Sequence, residues 1–252
     1  MQTSLSAKSA VLAQQTRLDT IANNIANVST PGFKASSVNF KDTLYNALTR
    51  PTNTQDTSLQ RGTGVAVSSI NRSFAEGVTM QTGVPLDFCI SGDGFFTVQD
   101  SGGNLLYTRN GGFAISSESG GRYLVTADGY YVTNTSGGKI SLPAGDLSEL
   151  KISESGELTL NGTSCGKLNI AVFPNNDGLL AVGNNCFQPT QASGQAQTKE
   201  NAVVNQGFLE GSNVDLVTEM TQLIRAQKAF AFAATALKTA DEMDAIGNNL
   251  RT

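Results

Sequence analysis

Seam positions recur near the start of the chain at Ala7, Val11, Gln14, Leu18, Ile21, Ile25 and Val28, four and three residues apart in turn, with polar side chains between them. That spacing is a heptad seam, and it predicts a helix over residues 4–28 with Thr3 or Ser4 as its N-cap. The alternation returns at Leu216, Met220, Leu223, Gln227, Phe230, Ala234 and Leu237, slips, and resumes at Met243, Ile246 and Leu250. This predicts a second helix to about residue 248, capped by Ser212 or Asn213 and bent or re-faced beyond Leu237. At 1.5 Å per residue the two helices would reach roughly 38 and 54 Å. Each seam carries Gln and Ala where a self-sufficient coiled coil carries Leu or Ile, so the helices alone are marginal in water and need further partners.

The first helix must stop at Ser29-Thr30-Pro31-Gly32, where a residue turned away from helix by the following proline, a fixed φ and a free φ follow one another. Asn23, Asn24 and Asn27 crowd its last turns, and their amides either cap the fraying end or bond another chain. Phe40, Leu44, Tyr45 and Leu48 fall at helical spacing and predict a short helix over 39–48. A polar stretch at 51–64 has no period and reads as a linker. From Val65 the period is two. Strands are expected at 87–90, 95–99, 105–107, 113–116, 124–126, 130–133, 158–160, 168–173 and 180–182, separated by SGDG, DSGGN, RNGG, ADGY, SGGK and NNDG turns. Residues 188–206 lose the period again.

The expected fold class is therefore α+β: terminal helices forming a coiled-coil-like layer around a central antiparallel β-rich domain. The expected divisions are 1–34 (helix and turn), 35–64 (short helix and linker), 65–187 (β-domain), 188–209 (return linker) and 210–252 (helix).

Only 15% of the 252 residues are charged, well below the roughly 25% of an average soluble protein. Interface cores are depleted in charge, so such a surface suits either a solvated β-protein or a subunit buried among copies of itself. A net charge of −4 with scattered Lys and Arg speaks against nucleic acid as a partner. No apolar run reaches the roughly 20 residues of a membrane span, so no membrane insertion is expected. The start of the chain shows no basic region leading into an apolar core, so export is expected by a route other than a cleaved signal.

The chain has no histidine, which removes histidine-based triads and the usual zinc and haem ligation. Cys89, Cys165 and Cys186 have no CxxC spacing and read as small packed hydrophobes. GDGFF and GTGV lack the third glycine of a nucleotide loop. NNDG at 175–178 lacks the ligand series of a calcium loop and reads as a hairpin turn. Asp87 and Asp93 could form a carboxylate pair, but both flank turns, where Asp commonly bonds local backbone. No catalytic, metal or cofactor site is expected.

LAQQTRLDTIANNIANVSTPGFK at 12–34 and EGSNVDLVTEMTQLIRAQKAF at 210–230 resemble the two terminal signatures of bacterial flagellar rod and hook proteins. The likeness extends to GTGV at 62–65, PLDFCISGDGFFTV at 85–98 and YTRNGGF at 107–113. It implies a structural subunit of the axial rod, the distal rod first and a proximal-rod or short hook-type subunit otherwise. It also implies self-association into a helical polymer that transmits torque, neighbouring rod and hook subunits, and passage through the flagellar type III export apparatus to the basal body. The family motif falls on Asn23, Asn24, Asn27, Pro31, Gly32, Phe33, Ser212, Asn213 and Val214. The expected subunit interface is Val11, Leu18, Ile21, Ile25, Val28, Leu216, Met220, Leu223, Phe230 and Leu237. A secreted adhesin built on the β-domain is the alternative from another class, and it would have no use for the seams.

Overall fold

The computed structural model describes residues 2–47, 60–118, 121–143, 145, 149–153, 155–199 and 202–249. The chain divides into two compact units: Met1–Ala26, Ser36–Ser73 and Asp215–Thr252 make the first, Asn27–Ala35 and Phe74–Val214 the second.

In the first unit, helix α1 (Gln2–Ala26) packs against helix α2 (Leu216–Asn249) and against a hairpin of β1 (Ser36–Asp42) with β4 (Val65–Arg72); β2 (Tyr45–Ala47) pairs with β3 (Gln60–Gly62). The short helix expected over 39–48 is not formed: residues 36–42 and 45–47 are strand. Half-buried Val38 and Phe40 alternate with exposed Ser37, Asn39 and Lys41, a period of two that the helical spacing of Phe40, Leu44 and Tyr45 masks. A register shift between Asn39 and Phe40 marks a bulge. Of the expected linker, 51–59 lies outside the described residues, while Gln60–Gly62 is strand. Ser9 ties helix to hairpin, its Oγ accepting from Val65 N–H at 3.3 Å.

Helix α2 is capped by Asp215, not by Ser212 or Asn213. The Asp215 carboxylate accepts from Val217 N–H at 3.1 Å and from the Thr218 hydroxyl at 2.6 Å. These bonds, the Thr218 hydroxyl first, hold its carboxyl below the usual carboxylate range. The Leu250 end of the predicted seam lies outside the described residues.

Among the described residues of the second unit, the strand pairings are antiparallel. Its strands are β5 (Thr79–Gln81), β6 (Phe88–Ser91), β7 (Phe95–Gln99), β8 (Leu105–Thr108), β9 (Phe113–Glu118), β10 (Gly121–Thr126), β11 (Tyr131–Val132), β12 (Ser141–Leu142), β13 (Leu150–Ile152), β14 (Glu157–Leu160), β15 (Thr163–Lys167), β16 (Ile170–Val172), β17 (Leu180–Gly183), β18 (Cys186–Gln188), β19 (Gln197–Thr198), β20 (Val203–Gln206) and β21 (Phe208–Glu210). Its largest sheet runs β12-β10-β11-β7-β8-β18-β17, with β9, β16 and β19 joined at the side, and β13-β14-β15 form a small second sheet. Every strand expected from 87 to 182 has a counterpart. The stretch 188–209, expected as a linker, instead supplies three strands, β21 pairing with β5, β20 with β6 and β19 with β16. NNDG is no hairpin: residues 176–178 form a 3-10 turn capped by Asn175.

Strand β7 shows why this unit is stable. Phe96 and Val98 point into a core with Phe88, Leu106, Phe113, Leu158 and Ile170, while Phe95 enters an aromatic cluster with Tyr107, Phe173 and Phe187 on the opposite face. A strand covered on both faces is largely apolar, as FFTV is with Thr97 its one polar residue. Phe96→Ala is expected to cost about 3–5 kcal/mol, read as a lower urea midpoint, because a 1%-exposed ring leaves a cavity that the surrounding sheet cannot fill. Cys89 and Cys186 are buried, Cys165 is half-buried, and all three are free. Burial pushes the Cys186 thiol up to about 11.

Candidate functional site

The turn after α1 lies wholly within the second unit. Thr30 N–H donates to Asn27 O at 3.1 Å and Phe33 N–H to Thr30 O at 3.3 Å, closing the turn locally, and Pro31 removes the donor that would have continued the helix. Gly32 has φ of +70°, and its N–H donates to Glu210 O at 2.8 Å. A Cβ on Gly32 would lie 2.6 Å from Asn110 N and 2.8 Å from the Arg109 carbonyl carbon, so only glycine fits against that backbone.

Beside the turn, Lys34, Arg109 and Glu210 are all buried. The Lys34 ammonium donates to Glu210 Oε1 and to Ala75 O, both at 2.6 Å. Gly77 N–H shares Oε1 at 2.9 Å, and Arg109 Nη1 donates to Oε2 at 3.2 Å. Arg109 also donates through Nη2 to Gly92 O at 2.8 Å and lies over the Phe95 ring at 5.4 Å. Asn213 completes the arrangement: its Oδ1 accepts from Ala35 N–H at 2.7 Å and its Nδ2 donates to Ala75 O at 3.1 Å. Two cations therefore share one buried carboxylate. Burial lowers the Lys34 pKa from its ordinary 10.5, against the opposing pull of Glu210 and with help from Arg109.

That direction fixes a sign. Between the folded pKa and 10.5 the unfolded chain holds the extra proton, so Lys34's contribution to stability improves as pH rises through that window. Below the window the cost of burying its charge is present in full. The stability gap between wild type and Lys34→Met is expected to shift toward wild type as pH is raised into the alkaline range, measured by urea titrations at a series of pH values. A gap shifting the other way would contradict the sign.

Pro31, Gly32, Phe33 and Asn213 of the predicted motif thus meet here, with Ser212 alongside, its Oγ accepting from Val214 N–H at 3.3 Å. The Asn27 side chain accepts from the Thr30 hydroxyl at 3.2 Å. Asn24 is in the first unit and does not need another chain: its buried amide donates to Ser36 O at 2.8 Å and accepts from Ser36 N–H at 2.9 Å. Lys34, Arg109 and Glu210 were missed from sequence, although each sits inside a quoted motif. The available signal was a charged residue set among Gly and Phe in a chain poor in charge.

In the first unit, Ile21 is buried and Ala7, Val11, Gln14, Leu18 and Ile25 are half-buried. On α2, Leu223, Phe230, Ala234 and Leu237 are half-buried, but Leu216, Met220 and Gln227 are exposed and Ala226 is buried instead. The covered face of α2 is thus rotated from the expected seam toward Ala226 and Ala233. Opposite it, at 3.6 residues per turn, Val217, Met220, Ile224, Phe232, Met243 and Ile246 lie on an exposed face that Thr221, Lys228 and Thr235 interrupt, with Phe232 at 75% exposure. Val28, by contrast, is half-buried within the second unit.

Asp87 and Asp93 make no carboxylate pair: Asp87 accepts from the Thr82 hydroxyl at 2.6 Å, while Asp93 is exposed. Among the described residues no group of His, Cys, Asp and Glu is arranged to hold a metal, and no helix is long and apolar enough to cross a membrane.

Comparison with known proteins joins these features. Residues 5–34 match the family "Flagella basal body rod protein", 89–160 "Flagellar hook protein FlgE/F/G D1 domain" and 205–250 "Flagellar basal body rod FlgEFG protein C-terminal". The chain is similar to the flagellar basal-body rod protein FlgG of Agrobacterium fabrum, with 35% identity over 93% of each chain. It is similar to FlgG of Bacillus subtilis at 36% over 91% of each. FlgF of Mesorhizobium japonicum is 32% identical over 94% of this chain and 93% of its own.

Proposed function

The chain belongs to the flagellar basal-body rod protein family, and from that premise we propose that it polymerises, copy on copy, through its terminal helices into a helical shaft. As a member of that family it is a structural subunit of the flagellar rod and not an enzyme, and its likeness to FlgG makes it a subunit of the distal-rod type. It works in the basal body among other rod and hook subunits. Passage through the flagellar type III export apparatus belongs to the same reading.

The observation that carries self-assembly is the set of large apolar side chains left exposed on α2. One face of the helix is already covered by its own chain, and the opposite face still exposes Val217, Met220, Ile224, Phe232, Met243 and Ile246. A helix that exposes so many large apolar side chains opposite its packed face is suited to a further partner there. In this reading Val11, Leu18, Ile21, Ile25, Leu223, Phe230 and Leu237 set the helix geometry within and between copies, Leu216 and Met220 face outward to the next copy, and Val28 belongs to the turn beyond α1. Like contacts repeated head to tail between identical subunits generate an open filament.

The test is Ile224→Asp with Phe232→Asp. These exposed positions tolerate a charge in a single chain, so helicity and thermal midpoint should stay near wild type while sedimentation shows no polymer. Rods of normal length from the double variant would refute this assembly surface.

A further inference from the structure

The closing cluster unites parts of the chain that are far apart, Lys34 and Glu210 being separated by 176 residues and Arg109 and Glu210 by 101. Both cations precede the one buried carboxylate that neutralises them. Without Glu210 they would be two like charges close together in a dry site, with Glu76 at the surface as the nearby carboxylate. The remaining anchors of residues 27–35 come largely from the same late segment. Gly32 N–H reaches Glu210 O, Ala35 N–H reaches Asn213 Oδ1, and Asn213 N–H reaches Phe33 O at 3.4 Å. Gly211 N–H in turn holds Val78 O at 2.8 Å beside the Gly77 amide that Glu210 accepts. The core strands β6, β7 and β8 pack through Phe88, Phe96, Val98 and Leu106, none of which touches this carboxylate through a hydrogen bond.

We propose that Glu210 is a closing latch: residues 27–35 and 208–213 dock on the β-body as one cooperative piece, and neither stays docked without the other. A chain emerging from its N-terminal side consequently keeps the strap at 27–35 loose until residue 210 arrives, because until then docking would bury Lys34 beside Arg109 without a counter-charge. The latch therefore closes last and opens first, while the sheet core holds independently of it.

Native-state hydrogen exchange on the full-length monomeric chain tests this. The amides of Gly32, Ala35, Gly77, Gly211 and Asn213 should open with one common free energy and one denaturant dependence, below those of Val98 and Leu106. Glu210→Gln should speed exchange at Gly32 and Ala35 on the order of a hundredfold, leaving Val98 and Leu106 unchanged. Adding Lys34→Met to Glu210→Gln removes the repelling charge, and exchange at Ala35 should slow again by roughly tenfold despite the further hydrogen bonds lost. If Glu210→Gln alone does not fold, the double variant should. The proposal is overturned if Gly32 and Ala35 open separately from Gly211 and Asn213, or if Glu210→Gln leaves their rates alone. A double variant that exchanges as fast as the single one, or stays unfolded, overturns it equally.

Discussion

Gly32→Val is expected to unseat residues 27–35 from the β-body and abolish rod assembly, with Gly32→Ala nearly as damaging. Two costs add. A φ of +70° is a left-handed conformation that a β-branched residue resists by about 1–2 kcal/mol, and the first side-chain carbon already collides with the backbone at Arg109–Asn110. Backbone cannot rotate aside as a flexible side chain does, so the collision is the same for Ala as for Val. A total loss of at least about 3 kcal/mol follows for docking of this segment. Urea unfolding of the second unit and electron microscopy of assembled rods measure the two consequences. A Gly32→Ala protein with the wild-type midpoint and normal rods would show that the backbone gives way more easily than this geometry allows.

Leu18→Asp or Leu223→Asp should be equally severe for assembly by a different route. Both side chains are half-buried in the helical unit, so either substitution brings a charge without a partner among apolar neighbours, at a cost of roughly 3 kcal/mol or more. In a polymer that cost recurs in every copy. Rods are expected to be absent while the second unit, whose cores contain neither residue, keeps its thermal midpoint. Loss of helicity separates these variants from Ile224→Asp with Phe232→Asp, which should keep the helix pair and lose only the contacts between copies. Normal rods from either seam variant would remove the helices from the centre of assembly.

Much of this architecture was readable from local signals. The heptad spacings gave both helices, and the proline-glycine turn gave the end of the first, because a helix stop needs only the residues that make it. The turn-separated strands from 87 to 182 were legible for the same reason. What escaped depended on distant partners. Val204 becomes strand by pairing with Ile90, over a hundred residues away, and Leu209 by pairing with Met80. Residues 39–42 looked helical because Phe40 and Leu44 are four apart, whereas their conformation is set by β4. Ser212 and Asn213 looked like caps, but Asn213 bonds Ala35 and Ala75 and Ser212 bonds Val214, leaving Asp215 to cap α2. Leu216, Met220 and Gln227 of the expected seam are exposed in the single chain, because α2 carries apolar residues on more than one side and periodicity cannot say which side its own chain covers. Lys34, Arg109 and Glu210 were visible as letters in three motifs, but only the fold brings those letters to one carboxylate.

The side chain of Asn213 has a mechanical consequence. The polypeptide passes between the two units four times, near residues 26, 35, 73 and 214, and this one amide is bonded to Ala35 and Ala75 while belonging to the last crossing itself. Three of the four segments that leave the second unit are therefore held to one another inside it, through a single amide. A pull on any one of them is passed to the other two, as it would not be at a lone flexible linker.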